Sequence, residues 1–279
     1  MNAFKLGSTL LAAITSIFAL SGIRESRGER PSPVEAVALE QGWSEGDRSS
    51  FYWGSQGSAL LSYDVYLALE NVRTGRLFNS GQEASALGFL MTDVDAAGNP
   101  DGLPIGVTRT VVDSGRFRGT YMGLNCSACH TGELRHQGEA LLIDGSKTNA
   151  FTPQPFLAAL AESLDAVLEQ PAAFAALAGR IRSRGPVDDG ELRGRIARDA
   201  RHIRSMLDTA LVGTPEGPGR MDAIGAEQNM VLAFGVGIPA NSRPTLAPVK
   251  PPFLWNTAHS AWVEWSGVTN DPLRRNYAE

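Results

Sequence analysis

Residues 126–130 read Cys126-Ser127-Ala128-Cys129-His130, a C-x-x-C-H sequence, and these are the only 2 cysteines in a chain of 279 residues. With both thiols spent inside one short motif, no disulfide framework can staple distant segments together. The fold has to come from apolar burial and backbone pairing. The pattern has a specific chemistry. Each thiol can add across a vinyl group of haem to give a thioether, and two intervening residues set the thiols at about the spacing of the two vinyls. The next residue, His130, then lies under the iron as an axial ligand. On this reading Cys126 and Cys129 anchor one covalent haem c, and His130 ligates its iron.

Other uses of the same residues make different demands. A thioredoxin-like dithiol sits near a βαβ pattern, but Gly123-Leu124-Asn125 before the motif is a weak strand signal. A closed zinc site needs four ligands, usually as two pairs. Here only His136, His202 and His259 remain as nitrogen donors, with no second paired motif. A disulfide between Cys126 and Cys129 would close a very short loop and stabilise little.

Haem is attached to c-type proteins outside the cytoplasm, so the haem reading expects an export signal. Lys5 is followed by an uncharged stretch from Leu6 to Ile23, with small residues near Ala19-Leu20-Ser21. This reads as a signal peptide or an uncleaved anchor over 1–23. Gly7, Ser8, Thr9, Thr15 and Ser16 make it a weak membrane span; Arg24, Arg27 and Arg30 are unusual after a cleaved signal. Either way the body faces a periplasmic or secreted compartment, and the membrane is a partner only if the segment stays uncleaved.

Residues 24–33 read as a linker and 34–279 as a haem c domain. A net charge of −5 gives no electrostatic reason to expect a nucleic-acid partner. The 30 glycines and 16 prolines imply long irregular stretches. The expected fold class is mainly α, a c-type cytochrome fold with long loops and a few short strands. Val34 to Gln41 reads as a short helix. Asp47 to Glu70 reads as an aromatic-rich apolar segment, helical after a break near Gly54 to Gly57. Thr108–Val112 and Ala140–Ile143 read as strands.

From Pro153 the apolar spacing turns helical. Phe156, Leu157, Leu160, Leu164, Val167 and Leu168 make one face, and Pro171 separates that helix from the next. Leu192, Ile196, Ala200, Ile203, Leu207 and Leu211 stripe a third helix. Together these form a helical insertion at about 153–212. Its arginines, Arg193 to Arg204, read as a solvated face, as does His202. A further helix opens near Arg220 and runs to Phe234. Pro239 to Pro252 is too proline-dense for regular structure.

What occupies the other side of the iron separates an electron carrier from an enzyme. Met122 is too near the motif, His136 starts on the wrong side of it, and Met206 is explained by packing. Met91, Met221 and Met230 stay open as ligands. His259 is the remaining candidate, set among Trp255, Trp262 and Trp265. His259, Trp255 and Trp262 are therefore the candidate catalytic or distal residues.

Several segments occur together: Gln41-Gly42-Trp43, Phe51-Tyr52 with Ser55-Gln56-Gly57-Ser58, Asn99-Pro100-Asp101-Gly102 through Gly106, Asn125 through Gly132, Asp144-Gly145, and Pro252-Phe253-Leu254-Trp255-Asn256-Thr257. As a set, over roughly residues 34–276, they resemble dihaem c-type cytochromes of the cytochrome c peroxidase-like superfamily, nearest the rubber-oxygenase-like branch. The resemblance implies a secreted or periplasmic, mostly helical oxidoreductase with two covalent haems, one for chemistry and one for electron relay. Cys126, Cys129 and His130 match the first haem site, and the Trp255 region resembles the aromatic segment near that haem. A second C-x-x-C-H is absent here. The expectation is a peroxidase- or oxygenase-like oxidoreductase lacking its second haem domain, or a simple single-haem electron carrier with six-coordinate iron. Its partner would be a redox protein or a second haem domain.

Overall fold

The computed structural model describes residues 36–92, 98–115, 117–262 and 270–271. The leader at 1–23, the linker at 24–33, Trp265 and Arg274-Arg275-Asn276 lie outside the described residues. In chain order the elements are β1 (Ala36–Ala38), α1 (Glu45–Trp53), β2 (Leu61–Ser62), α2 (Tyr63–Ala68), α3 (Gly81–Ala86), β3 (Val107–Val112), β4 (Gly119–Leu124), α4 (Ser127–His130), β5 (Thr131–His136) and β6 (Glu139–Asp144). Then follow α5 (Pro153–Glu169), α6 (Pro171–Arg182), α7 (Asp189–Ala210), α8 (Ala223–Asn229) and a π-helical turn over Met230–Gly235.

This is a mixed α/β arrangement with two three-stranded sheets, ordered β1-β6-β5 and β2-β4-β3. The expectation of a mainly α cytochrome fold is therefore corrected. Strand pairs flank the C-x-x-C-H motif on both sides, through β4 before it and β5 after it. Both strands exist because of partners distant in sequence or across a turn. β4 carries Gly119 and Gly123, which weaken a strand on their own, yet it pairs along its whole length with β3, from Val107↔Leu124 to Val112↔Gly119. β5 has Leu134 as its only large apolar side chain, and that residue is exposed. A full antiparallel ladder to β6, from Thr131↔Asp144 to His136↔Glu139, holds it. The short helix expected over 34–41 is also corrected. Ala36–Ala38 pairs parallel with β6 as an edge strand.

Helices follow the apolar spacing more directly. α5 begins with Pro153 and α6 with Pro171, each in the first turn where a missing N–H costs nothing. Asp188 caps α7, its side chain accepting from the Glu191 N–H at 2.9 Å. Phe156, Leu160 and Leu164 of α5 are buried with Leu192, Ile196 and Ile203 of α7 in the main apolar cluster. Each such side chain contributes roughly 1.5–3 kcal/mol on burial. Phe151 lies in the same core, its ring centre 4.2 Å from Phe89 in a tilted contact and 6.0 Å from Phe156 in an edge-on one.

The α7 arginines are not simply a solvated face. Arg195 makes two hydrogen bonds to the Asp64 carboxylate, at 2.9 and 2.8 Å, and Arg193 lies 3.6 Å from the Phe174 ring centre. His202 is exposed, as its place off the apolar stripe implies.

Candidate functional site

The motif begins where β4 ends. Asn125, the residue between the strand and Cys126, is buried, and its side chain organises the turn. Its amide N–H groups donate to the carbonyls of Phe51 (3.0 Å), Tyr52 (3.3 Å) and Gly54 (3.0 Å) at the end of α1. Its carbonyl oxygen accepts from the Ser127 N–H at 3.0 Å and the Ser127 hydroxyl at 2.7 Å. Three acceptors on one side and two donors on the other fix which atom of the amide is nitrogen. Its own backbone N–H donates to Gly106 at 3.0 Å.

Gly106 explains how closely the motif packs. Its φ is +90°, and a Cβ there would meet the Ala128 Cα and N at 2.3 Å. Only glycine permits this approach of two backbones. The motif then turns through one short helix, with the His130 N–H donating to the Cys126 carbonyl at 2.9 Å. The Cys129 carbonyl accepts from the Thr148 N–H at 2.8 Å.

Both thiols are free, Cys126 exposed and Cys129 partly so. Gln56 Oε1 accepts from the Cys126 N–H at 3.1 Å and lies 3.2 Å from its Sγ. Burial, with a smaller contribution from Cys126, pushes the Cys129 thiol up to about 12. That is the reverse of the depressed thiol on which dithiol exchange relies. Among the described residues, no group of three or more His, Cys, Asp and Glu side chains gathers as a metal-binding cluster.

The His130 imidazole is half-buried, and burial lowers its pKa while the Pro252 carbonyl partly opposes the shift. The His130 Nδ1 is buried without a hydrogen-bond partner. A buried ring nitrogen left unsatisfied costs free energy unless something pairs with the imidazole.

The segment after Pro252 lies along β6 and its turn. The Leu254 N–H donates to the Gly145 carbonyl at 2.7 Å, and the Trp255 indole N–H donates to the Asp144 carbonyl at 2.9 Å. Trp255 stacks on Phe253 with ring centres 5.3 Å apart and is 45% exposed. Of the candidate residues in this segment, Trp255 is thus brought to the strand that pairs with the residues following His130. His259 is exposed on a 3₁₀ turn over Thr257–His259, and Trp262 is 61% exposed. Among the described residues, no hydrogen bond or ring contact ties either to the motif.

The methionines divide similarly. Met122 is fully buried in β4. Met91 and Met206 pack on the core. Met221 pairs through its backbone with Val249, and Met230 opens the π-helical turn.

Sequence reasoning from single residues missed Asp144, Arg48, Gln56 and Gly106. Asp144 is buried and accepts from Arg48 Nε at 3.0 Å and the Tyr52 hydroxyl at 2.6 Å. Burial, followed by the Asp144 hydrogen bond and charge, raises the Tyr52 phenol well above its ordinary range. Burial opposes the Arg48 charge, but the Asp144 hydrogen bond and charge outweigh it and hold the guanidinium pKa above its ordinary value. The available signal was the place of Gln56, Gly106 and Asp144-Gly145 in the set of segments quoted for the resemblance, not any local periodicity.

No known family profile matches this chain, and no solved structure matches it. It is 26% identical over 307 aligned residues to the uncharacterized protein y4iJ of Sinorhizobium fredii. That match covers 98% of this chain and 49% of the relative, so the chain spans about half the relative's length. Among the described residues, no helix is long and apolar enough to cross a membrane.

Proposed function

We propose that the protein binds one haem c covalently and transfers electrons as part of a peroxidase- or oxygenase-like oxidoreductase. The observation that carries this reading is the C-x-x-C-H motif itself. It holds both cysteines of the chain, and its thiols stand unpaired on a turn fixed by Asn125 and Gly106. Cys126 and Cys129 would hold the group through thioethers, and His130 would ligate its iron. Bound haem would supply a one-electron redox centre. The chain's own contribution is to hold the ligand ring and its supports rigid. The Pro252 carbonyl beside the His130 ring fits the backbone acceptor that orients a metal-binding imidazole. The exposed Phe253–Trp255 pair beside Pro252 fits an apolar partner on that side of the motif.

The reading includes a periplasmic or secreted location, and a redox protein or second haem domain as partner. A relative twice as long leaves room for such a domain. The second reading, a single-haem carrier with six-coordinate iron, follows from the single copy of the motif.

The test is expression with a c-type haem-attachment system, followed by a pyridine haemochrome spectrum of the denatured protein. Covalent haem retained by the wild type and lost in Cys126→Ser/Cys129→Ser is the expected result. A wild type without covalent haem overturns the proposal. Adding cyanide to the ferric protein then separates the two readings. A changed spectrum favours the enzyme, and an unchanged low-spin spectrum favours the carrier.

A further inference from the structure

Asp144 ends β6 and lies directly across the ladder from Thr131, the residue that follows His130. Its carboxylate is 0% exposed and Arg48, its ion partner, is 9% exposed. Every polar atom of Asp144 is engaged. The carboxylate takes Arg48 Nε and the Tyr52 hydroxyl, and its backbone N–H donates to Gln41 Oε1 at 2.8 Å. Its carbonyl accepts from Gln41 Nε2 at 3.0 Å and from Trp255 Nε1 at 2.9 Å. Tyr52 also supports the turn, since its carbonyl accepts from the Asn125 side-chain amide and the Gly106 N–H.

A buried ion pair has thus been built into the strand that supports the candidate axial ligand. Such a pair is a poor way to gain stability, because desolvating both charges offsets most of their attraction. It is an effective way to set a local potential. Charges out of water are screened far less than surface charges, and the reduction potential of a haem responds to nearby charge.

We propose that the Arg48–Asp144 pair sets the reduction potential of the haem held by Cys126, Cys129 and His130; this rests on the haem reading above. The negative charge of Asp144 favours the ferric form and lowers the potential. The positive charge of Arg48 favours the ferrous form and raises it. Neither residue is among the groups that would hold the haem, so both would act through the field. A purely structural pair makes a different prediction. Breaking it from either side would loosen the same support and move the potential the same way.

The experiment measures midpoint potentials by redox titration of the haem-loaded wild type and of Asp144→Asn, Arg48→Gln, Arg48→Lys and Tyr52→Phe. The expected result is a potential that rises in Asp144→Asn and falls in Arg48→Gln. Tyr52→Phe, which keeps both charges, shifts less than either. Arg48→Lys keeps the charge but loses the guanidinium geometry, and stays near the wild type. It decides the matter together with Asp144→Asn if Arg48→Gln does not fold. Shifts of one sign in Asp144→Asn and Arg48→Gln, no shift in Asp144→Asn, or a large shift in Arg48→Lys overturns the proposal and leaves the haem reading standing. Absence of covalent haem from the wild type overturns both.

Discussion

Gly106 and Ala128 meet backbone to backbone, so that a methyl group on Gly106 would fall 2.3 Å from the Ala128 Cα. The contact presses the centre of the C-x-x-C-H turn against the loop that enters β3. Gly106→Ala is expected to cost about 3 kcal/mol or more, combining a positive φ with a clash that only backbone movement can relieve. Gly102→Ala is the control. Its φ is +63°, but nothing lies within 4 Å of the added carbon, so only the local strain of about 1 kcal/mol applies. Urea denaturation of the two variants compares them directly. Equal losses would mean the Ala128 contact carries no weight.

Asn125→Ala tests the polar half of the same support. It removes both donors from three carbonyls at the end of α1 and the acceptor from Ser127. Because the site is buried, leaving these groups unpaired costs roughly 1–3 kcal/mol each where water cannot replace the lost partner. The expected loss is about 2–4 kcal/mol in the urea midpoint analysis. In haem-loaded protein, less covalent haem should be recovered per polypeptide. Asn125→Asp keeps the shape but offers no donor and places a negative charge against three carbonyl oxygens. It should be at least as damaging as Ala. A stable Asn125→Asp protein would refute the assigned network.

The helical layer makes a contrasting prediction about packing. Leu160 of α5 is 0% exposed, whereas Val231 in the π-helical turn is 57% exposed. Leu160→Ala should cost about 2–5 kcal/mol, by lost transfer energy and the cavity left behind. Val231→Ala should stay within about 0.5 kcal/mol. Thermal unfolding monitored by circular dichroism distinguishes them, and a similar melting temperature for the two would contradict the burial pattern.

These cases indicate what could be read from the chain alone. The α5 and α7 stripes were legible because period-3.6 burial is written locally, in Leu160 and Leu164 or in Ile196 and Ile203. β4 and β5 were not. Their strand character comes from ladders to β3 and β6, while Gly119, Gly123 and the polar run of β5 carry little local signal. That is why the fold read as mainly α when it is mixed. In the site, Cys126, Cys129 and His130 announce themselves by spacing. Asp144 does not, because it becomes a partner of Arg48 and Tyr52 only once α1 and β6 lie together, over 90 residues apart in sequence. Asn125 stood next to the motif, but its role depends on where α1 ends.

Two carboxylates should respond to pH with opposite sign. Asp199, in α7, is buried and its carboxyl is raised above the ordinary range by that burial, against hydrogen bonds from Ser62 and the charges of Arg195 and Arg198. Asp222 caps α8 and accepts from Gly225, Leu246 and Ala247. Partial burial works against its charge, but these backbone N–H groups outweigh it and hold the carboxyl below its ordinary value. A raised folded pKa means the folded state holds its proton more tightly. The Asp199 contribution is therefore complete below the unfolded pKa of about 3.9, and is lost as pH rises from there through the folded value. A depressed folded pKa means the reverse. The Asp222 contribution is complete above about pH 4 and is lost as pH falls through its folded value. Asp199→Asn removes a charge that neutral pH forces into the interior and keeps an acceptor for the Ser62 N–H. Its stability relative to wild type should improve from about pH 4 upward. Asp222→Asn should be less stable than wild type at pH 7, with the gap closing below about pH 4. Urea unfolding at a series of pH values from 3 to 7 reads both trends. Parallel curves for wild type and either variant across that range would refute the assigned direction for that residue.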